Sequence, residues 1–432
     1  MAEKQRPRPE FAEALELVLH GQRIGVLVHY SGGRKILTFD PEYRQLPTSE
    51  RPVFTLTQLW KENYLAGRQS HSQRLPPVLS NLLPEGALRE WLSSSLKTHI
   101  ENEFPLLAWT GNNLPGALEA LPLNAGEIPG WALAGRDQVE PVPIPIDIGV
   151  KDSKFSLAGV QMKFSSIRQD GRFNISTDIG SDSWIIKTPS TVYRNVPENE
   201  FTAMKLAESI GVEIPEIQLI PLEKLDNLSD IVLPDEPMAY GIRRFDRGEG
   251  SYRQNKHRIH TEDFAQIFEF YAHKKYSHAN YEQIGRVIYQ FSQNGLADLQ
   301  QMARRLLANI LLANGDAHLK NWSIIYPDGI QPRLSPAYDI VTTLAYVKGE
   351  TGSALNMGKE KSWRAMTMGT FQYWASRIGA PWPAIKIHLH EAIESAREQW
   401  PELLQALPMS ASHKDVLKEH MASLSSDFRV EL

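Results

Sequence analysis

Asn314-Gly315-Asp316-Ala317-His318-Leu319-Lys320-Asn321 follows the most regular apolar stripe in the chain. Leu299, Met302, Ala303, Leu306, Leu307, Ile310 and Leu311 recur at i, i+3, i+4 and i+7, which predicts a helix with one face buried in a core. Asn314-Gly315 is a typical helix stop, since both residues tolerate the left-handed backbone that ends a helix. The polar stretch is therefore carried on the end of a rigid element. Beyond it, Trp322 to Tyr326 and Gln331 to Leu334 read as short strands joined by Pro327-Asp328-Gly329, and Tyr338-Asp339-Ile340 follows. Alone, Asn-Gly-Asp after a helix is a cap and a turn. The residues elsewhere in the chain give it more content.

Asp316 and Asn321 are spaced as the aspartate and asparagine of a kinase catalytic loop. An aspartate there orients an attacking hydroxyl and accepts its proton. The asparagine amide oxygen is a suitable hard ligand for Mg²⁺. Asp339, after the short hairpin, occupies the place of the second metal-binding aspartate, so Asn321 and Asp339 are the candidate metal ligands between ATP oxygens. His318 is a candidate to assist near the γ-phosphate. Upstream, Gly159 lies before a hairpin signalled by Asp170-Gly171, and Ser183-Trp184-Ile185-Ile186-Lys187 reads as a strand bearing a phosphate-neutralising lysine. Phe201, Met204, Ala207 and Ile210 mark the next helix, with Glu200 in its first turn as the candidate partner of Lys187. Taken singly, Lys187 is a surface lysine, Glu200 an acid favoured by the helix dipole, and Asp339 a turn residue. The lone glycine at 159 is likewise a poor phosphate loop. The shared order of Gly159, Lys187, Asp316, Asn321 and Asp339 predicts an α+β, bilobal, protein-kinase-like fold with a small β-rich N-lobe and a helical C-lobe.

Composition narrows the alternatives. The 432 residues contain 42% hydrophobic and 22% charged residues, as ordinary globular chains do, which excludes disordered and collagenous classes. No run approaches the ~18 apolar residues of a membrane helix, and the first residues lack a signal-peptide stretch, so a cytoplasmic protein is expected. With no cysteine there is no disulfide, thiolate metal site or cysteine nucleophile. A net charge of −5 disfavours a strong bulk hold on nucleic acid.

The chain divides into an N-terminal β-rich subdomain at 1–123, a Pro-rich linker at 124–152, an N-lobe at 153–247 and a helical C-lobe at 248–432. Leu15, Leu17 and Leu19, then Ile24, Val26 and Val28, then Ile36, Leu37 and Phe39 predict a β-meander, and a helix is expected from near Pro84-Glu85-Gly86. Pro141, Pro143 and Pro145 alternate with apolar residues, as in an extended polyproline-like connector. Phe264, Ile267, Phe268 and Tyr271 predict one amphipathic helix, and Tyr281, Ile284, Val287, Ile288 and Phe291 another. A basic stretch with Arg253, Lys256, His257, Arg258, His260, His273, Lys274, Lys275 and His278 is expected to be a solvated face.

These residues resemble the HipA family, the serine/threonine kinase toxins of bacterial toxin–antitoxin pairs. Ser156-Leu157-Ala158-Gly159-Val160-Gln161-Met162-Lys163 is similar to that family's nucleotide loop, Ile185-Ile186-Lys187 to its ATP-anchoring strand, and Asn199-Glu200-Phe201 to the start of its matching helix. Arg244-Phe245-Asp246-Arg247 resembles its interlobe segment, Asn314 to Asn321 its catalytic loop, and Pro336-Ala337-Tyr338-Asp339-Ile340 its metal motif. Leu75-Pro76-Pro77 and Asn81-Leu82-Leu83-Pro84-Glu85-Gly86 look like its N-terminal subdomain. The resemblance implies transfer of the ATP γ-phosphate to a protein Ser or Thr, possible targets including an aminoacyl-tRNA synthetase. Asp316 would be catalytic, and Ser156, Ala158, Gly159, Val160, Gln161, Lys163, Lys187, Glu200, Arg243 and Phe245 would lie around the nucleotide. Arg243 departs from the family, a well-known member having an acidic residue beside the adenine pocket. Autophosphorylation of Ser156 is also implied, adding about −1.5 to −2 charge where ATP phosphates sit and so silencing the enzyme. The implied partner is a small helix-turn-helix antitoxin, HipB-like, through which DNA contact would be mainly indirect; no membrane partner is expected.

Competing readings are a small-molecule phosphotransferase of the aminoglycoside-kinase type, a non-catalytic co-repressor subunit of an antitoxin–DNA complex, and a metal-dependent hydrolase using Asp316, His318 and Asp339. The N-terminal subdomain argues against the first. A scaffold has no physical need for Lys187, Asp316, Asn321 and Asp339 together, and a hydrolase leaves Lys187 and the glycine loop without a role.

Overall fold

Alternating apolar residues build the first sheet. Phe11–Leu19, Gln22–Tyr30 and Arg34–Phe39 form an antiparallel meander, extended by Gln69–Ser72 on one side and Leu118–Pro122 on the other. His20 and Gly21, both with positive φ (52° and 75°), make the tight reversal that a right-handed twisted hairpin needs. Leu15, Leu17 and Leu19 pack with Leu79 and Leu107 on one face, while Ala12, Ala14, Val26 and Val28 meet Ile128 and Ala132 on the other. The computed structural model describes residues 9–135, 140–147, 163–169, 172–175, 183–226, 233–248 and 258–432.

The segment 124–152 is not a free linker throughout. Val142 and Ile144 donate backbone N–H groups to Glu10 and Ala12 carbonyls (2.8 and 2.9 Å), and Val142–Pro143 runs parallel to the first strand. Alternation explains this: the donors fall on every second residue, and the prolines, which have no N–H, fall on the open side of an edge.

The second sheet runs in the order Ile217–Pro221, Met238–Arg243, Trp184–Lys187, Lys163–Gln169, Arg172–Ile175 and Leu225–Asp226. Its register pairs Gln169 with Arg172. Asp170 and Gly171 lie outside the described residues, as do Ser156, Ala158, Gly159, Val160 and Gln161. The following helix spans Val196–Ser209, with a proline in its first turn, so Glu200 falls one turn later than the sequence suggests.

The C-terminal region contains helices Tyr281–Phe291, Gly295–Leu311, Met368–Ile378, Trp382–Ala406 and Ala411–Ser423. It is not wholly helical. His260–Asp263 pairs with Ser323–Tyr326, which pairs with Arg333–Leu334, and Gly352–Met357 forms a hairpin with Glu360–Ser362. The helix expected through Phe264 to Tyr271 stops at Ile267 because Glu269 turns left-handed (φ 56°) and Phe270 N–H closes back on the Ala265 carbonyl at 2.8 Å. Among the described residues no helix is long and apolar enough to cross a membrane.

The first sheet's domain is docked on the C-terminal region through buried polar groups. Glu262, 1% exposed, accepts from Thr55 Oγ1 at 2.8 Å, from Leu56 N–H at 2.6 Å and from the Tyr326 hydroxyl. His260 lies 2.8 Å from the Phe54 carbonyl, and Arg258 donates to the Asn112 carbonyl. The solvated face expected for the basic stretch is therefore wrong at Arg258 and His260, which are 7% and 3% exposed. Their short-range sequence is polar, but it is covered by a domain more than a hundred residues away in sequence.

Burial pushes the Glu262 carboxyl up to about 7, against the lowering effect of the hydrogen bonds from Tyr326, Thr55 and Leu56. Its ordinary value is 4.5, so the folded state holds the proton more tightly than the unfolded chain does. Stability from this group is therefore greatest at or below pH ~4.5 and is lost as pH rises toward ~7, by a total of about 3 kcal/mol. Glu262→Gln keeps an acceptor for Leu56 and Tyr326 and removes the titration. Its melting temperature should fall less steeply than the wild-type value across that window. Parallel melting curves for the two proteins would contradict the assignment.

Candidate active site

The end of the Gly295–Leu311 helix sets the loop. Ala313 takes the left-handed residue (φ 51°), in place of the Asn314-Gly315 pair that the sequence suggests. Gly315 lets the Glu350 carboxylate approach instead: a Cβ there would lie 2.1 Å from Glu350 Oε1, so that side chain would have to shift. The Gly315 N–H donates to Thr343 Oγ1 at 2.7 Å, and the single proton of that hydroxyl is shared between Glu350 and the Ala313 carbonyl.

Asn314 is the buried keystone of the loop. Its Nδ2 donates to Asn309 Oδ1 (2.9 Å) and to the Asp339 carbonyl (3.4 Å), and its Oδ1 accepts from the Asp316 N–H (3.1 Å). It thus joins the Asp316 loop to the Asp339 turn. Asn321 Nδ2 donates to the Asp316 carbonyl at 2.8 Å, which closes the loop and fixes the rotamer of the amide. The Arg305 guanidinium donates to the Asn321 carbonyl and stacks 4.4 Å over the Trp322 ring.

The Asp316 carboxylate is half-exposed. The Tyr276 hydroxyl donates to it, and His318 Nε2 lies 3.9 Å away. His318 is buried and packs edge-on against Tyr276 at 5.0 Å. Burial lowers its pKa to about 4, with Asp316 opposing, so the imidazole is neutral at pH 7.

On the second sheet, Lys187 is 4% exposed and its ammonium contacts both Glu200 and Asp339. Burial opposes its charge, but the two carboxylates outweigh burial and hold the pKa above the ordinary lysine value. Asp339 sits at φ 53°, a conformation aspartate tolerates better than most residues. Its neighbourhood is over-determined. Asn199, beside Glu200, donates to the Thr342 carbonyl (3.3 Å) and accepts from the Thr342 N–H (2.9 Å). Trp400 Nε1 donates to the Leu206 carbonyl and Ser209 Oγ (3.2 and 3.0 Å), so the helix bearing Glu200 is fastened to the C-terminal region.

The structure thus brings together Lys187, Glu200 and Asp339, and in one loop Asp316, His318 and Asn321. Phe245 lies 5.6 Å from Tyr338, next to Asp339. Arg243 is not drawn in: it is exposed, with its guanidinium 3.8 Å from Glu216. Lys163 pairs by backbone register with Lys187. Sequence reasoning missed Tyr276 and Arg305 as site-building residues, and quoted Asn199 and Asn314 within motifs without giving them the bonding roles they have here. Among the described residues no group of three His, Asp or Glu side chains converges as a preformed metal site.

Residues 15–121 match the HipA N-terminal domain, and residues 155–400 match the HipA-like C-terminal domain. The chain belongs to the HipA family. A putative kinase of Sinorhizobium fredii, Y4dM, is 34% identical over 411 residues, covering 94% of this HipA-family chain and 96% of the relative. The serine/threonine-protein kinase toxin HipA of Shewanella oneidensis is 27% identical over 311 residues, with 67% and 68% coverage. A chain from the solved complex of Shewanella oneidensis HipA, HipB and operator DNA superposes with TM-score 0.69 over 95% of both chains at 21% identity, a likeness of fold. The bilobal kinase-like architecture with an added N-terminal domain is therefore the HipA fold.

Proposed function

We propose that this HipA-family chain is an ATP- and Mg²⁺-dependent serine/threonine protein kinase. The observation that carries the reading is the Lys187–Glu200–Asp339 ion group, with Lys187 and Glu200 buried, tied through Asn314 to the loop that bears Asp316 and Asn321. Asp316 orients the attacking hydroxyl and takes its proton. Lys187, held by Glu200, neutralises nucleotide phosphates, and neutral His318 lies beside Asp316 without adding a competing charge.

The donor set fits Mg²⁺, which is usually held by one or two protein oxygens together with substrate phosphates. Asn321 and Asp339 supply a hard amide oxygen and a carboxylate, and both are fixed by neighbours. When bound, the ion offsets charge on the phosphate oxygens. The nucleotide loop with Ser156, Ala158, Gly159, Val160, Gln161 and Lys163, and the interlobe residue Phe245, complete the proposed ATP site, while Arg243, exposed beside Glu216, stands outside it. The proposed partners are a protein substrate, for which an aminoacyl-tRNA synthetase is a candidate class, and a HipB-like helix-turn-helix antitoxin that carries most DNA contact. The proposed location is cytoplasmic.

Incubation with Mg²⁺ and γ-labelled ATP, followed by phosphopeptide mapping, tests this reading. Label is expected on Ser156 and on a discrete protein of a bacterial lysate. Ser156→Ala should lose the loop label and keep transferring phosphate to the lysate protein at sustained rate. Phosphate found elsewhere but never on Ser156 would remove the autoregulatory part of the proposal.

A further inference from the structure

Glu85 belongs to the first domain, at the start of the Gly86–Ser95 helix, yet its carboxylate is spent entirely on the catalytic region. Oε1 lies 2.7 Å from Lys320 Nζ, and Oε2 lies 3.1 Å from Lys275 Nζ. Partial burial pulls the Glu85 pKa up, but the two ammonium groups outweigh it and hold it at about 2, so the group is ionised throughout the working range. The two lysines flank the candidate base. Lys320 precedes Asn321 in the loop, and Lys275 precedes Tyr276, whose hydroxyl donates to Asp316. The two segments are also joined directly, Leu319 N–H donating to the Lys275 carbonyl at 3.2 Å.

Asn81 reinforces the contact. Its carbonyl accepts from Lys320 Nζ at 2.8 Å, while its Nδ2 bridges the Pro77 and Phe270 carbonyls, both at 2.8 Å. The remaining acid near Lys320, Asp263, is 3.7 Å away. Loss of Glu85 would leave two ammonium groups facing one another beside the loop, with nothing as close to balance them.

We infer that Glu85 is a positioning residue for phosphoryl transfer: through Lys320 and Lys275 it holds the Asp316–Asn321 loop and Tyr276 in register, which makes the N-terminal domain part of the active site. This rests on the kinase reading above. The Glu200 helix and the Asp339 turn are held separately, by Asn199–Thr342 and Trp400, so the effect falls on the acceptor side. A displacement of about 1 Å at a reacting group is enough to cost ~10²-fold in rate.

The test measures the maximal rate of label incorporation from γ-labelled ATP, and the half-saturating ATP concentration, for the full chain and for Glu85→Gln, Glu85→Asp, Lys320→Met and the Glu85→Gln/Lys320→Met pair. Nucleotide-binding stoichiometry corrects each rate for folded protein, and Asp316→Asn runs alongside. Glu85→Gln should lose roughly 10- to 100-fold in maximal rate with half-saturation for ATP within about twofold. Glu85→Asp should recover part of the loss, and the pair should be no slower than the slower single variant. An unchanged rate in Glu85→Gln, or a loss seen wholly in ATP affinity, would overturn the positioning role while the kinase reading stood. Full transfer by Asp316→Asn would overturn both.

Discussion

Lys187→Met is expected to destabilise the protein by about 3–5 kcal/mol and to abolish useful nucleotide binding. The ammonium is 4% exposed and answers two carboxylates, Glu200 at 1% exposure and Asp339. Methionine fills much of the volume but leaves those carboxylates facing one another without a counter-charge, and that uncompensated burial is the larger part of the cost. The unfolding transition of the region should move down by roughly 10 °C, read by scanning calorimetry. Because the folded pKa of Lys187 lies above the ordinary 10.5, its contribution is complete below that value and decays only as pH rises through the folded value. The difference between variant and wild type should therefore be flat across the neutral range. Adding Glu200→Gln to Lys187→Met should restore part of the stability by removing one of the two stranded charges, without restoring nucleotide binding. A Lys187→Met protein that melts with the wild type would contradict the Lys187–Glu200–Asp339 ion group.

Asp316→Asn should behave in the opposite way. The side chain is half-exposed, and the amide oxygen can still accept from Tyr276, so stability should change by no more than about 0.5 kcal/mol. Lys187, Glu200 and Asp339 are untouched, so nucleotide binding should persist. What is lost, on the proposed mechanism, is the group that would take the proton from the attacking hydroxyl, worth ~10²–10⁴-fold in rate. Stability loss at Lys187 and rate loss at Asp316 thus separate the two halves of the site.

The Asp316 half of the candidate site was legible because its order of residues is linear in the chain. The apolar stripe from Leu299 to Leu311, the polar loop at its end and Asp339 after a hairpin are local signals, and the structure holds them within one hydrogen-bonded unit through Asn314. The meander was legible for the same reason: Leu15, Leu17 and Leu19 alternate with polar or smaller neighbours on a sheet with distinct faces. What sequence could not disclose is long-range polar contact. Glu85 and Lys320, Thr55 and Glu262, and Asn199 and Thr342 have no periodicity that links them, and each pair exists only after the domains and lobes have packed. His260–Asp263 lacks an apolar alternation because its side chains bury polar contacts, so the strand was invisible. The edge pairing at Val142 and Ile144 was hidden by prolines that usually argue against a strand and here occupy positions that need no donor.

One measurement reaches the central claim most directly: single-turnover transfer of the γ-phosphoryl group from labelled ATP and Mg²⁺, comparing wild type and Asp316→Asn at matched nucleotide occupancy. The account predicts stable phosphoester on serine or threonine from the wild type and a rate at least ~10²-fold lower from the variant, with ATP bound equally by both. Equal transfer by the two proteins would contradict it.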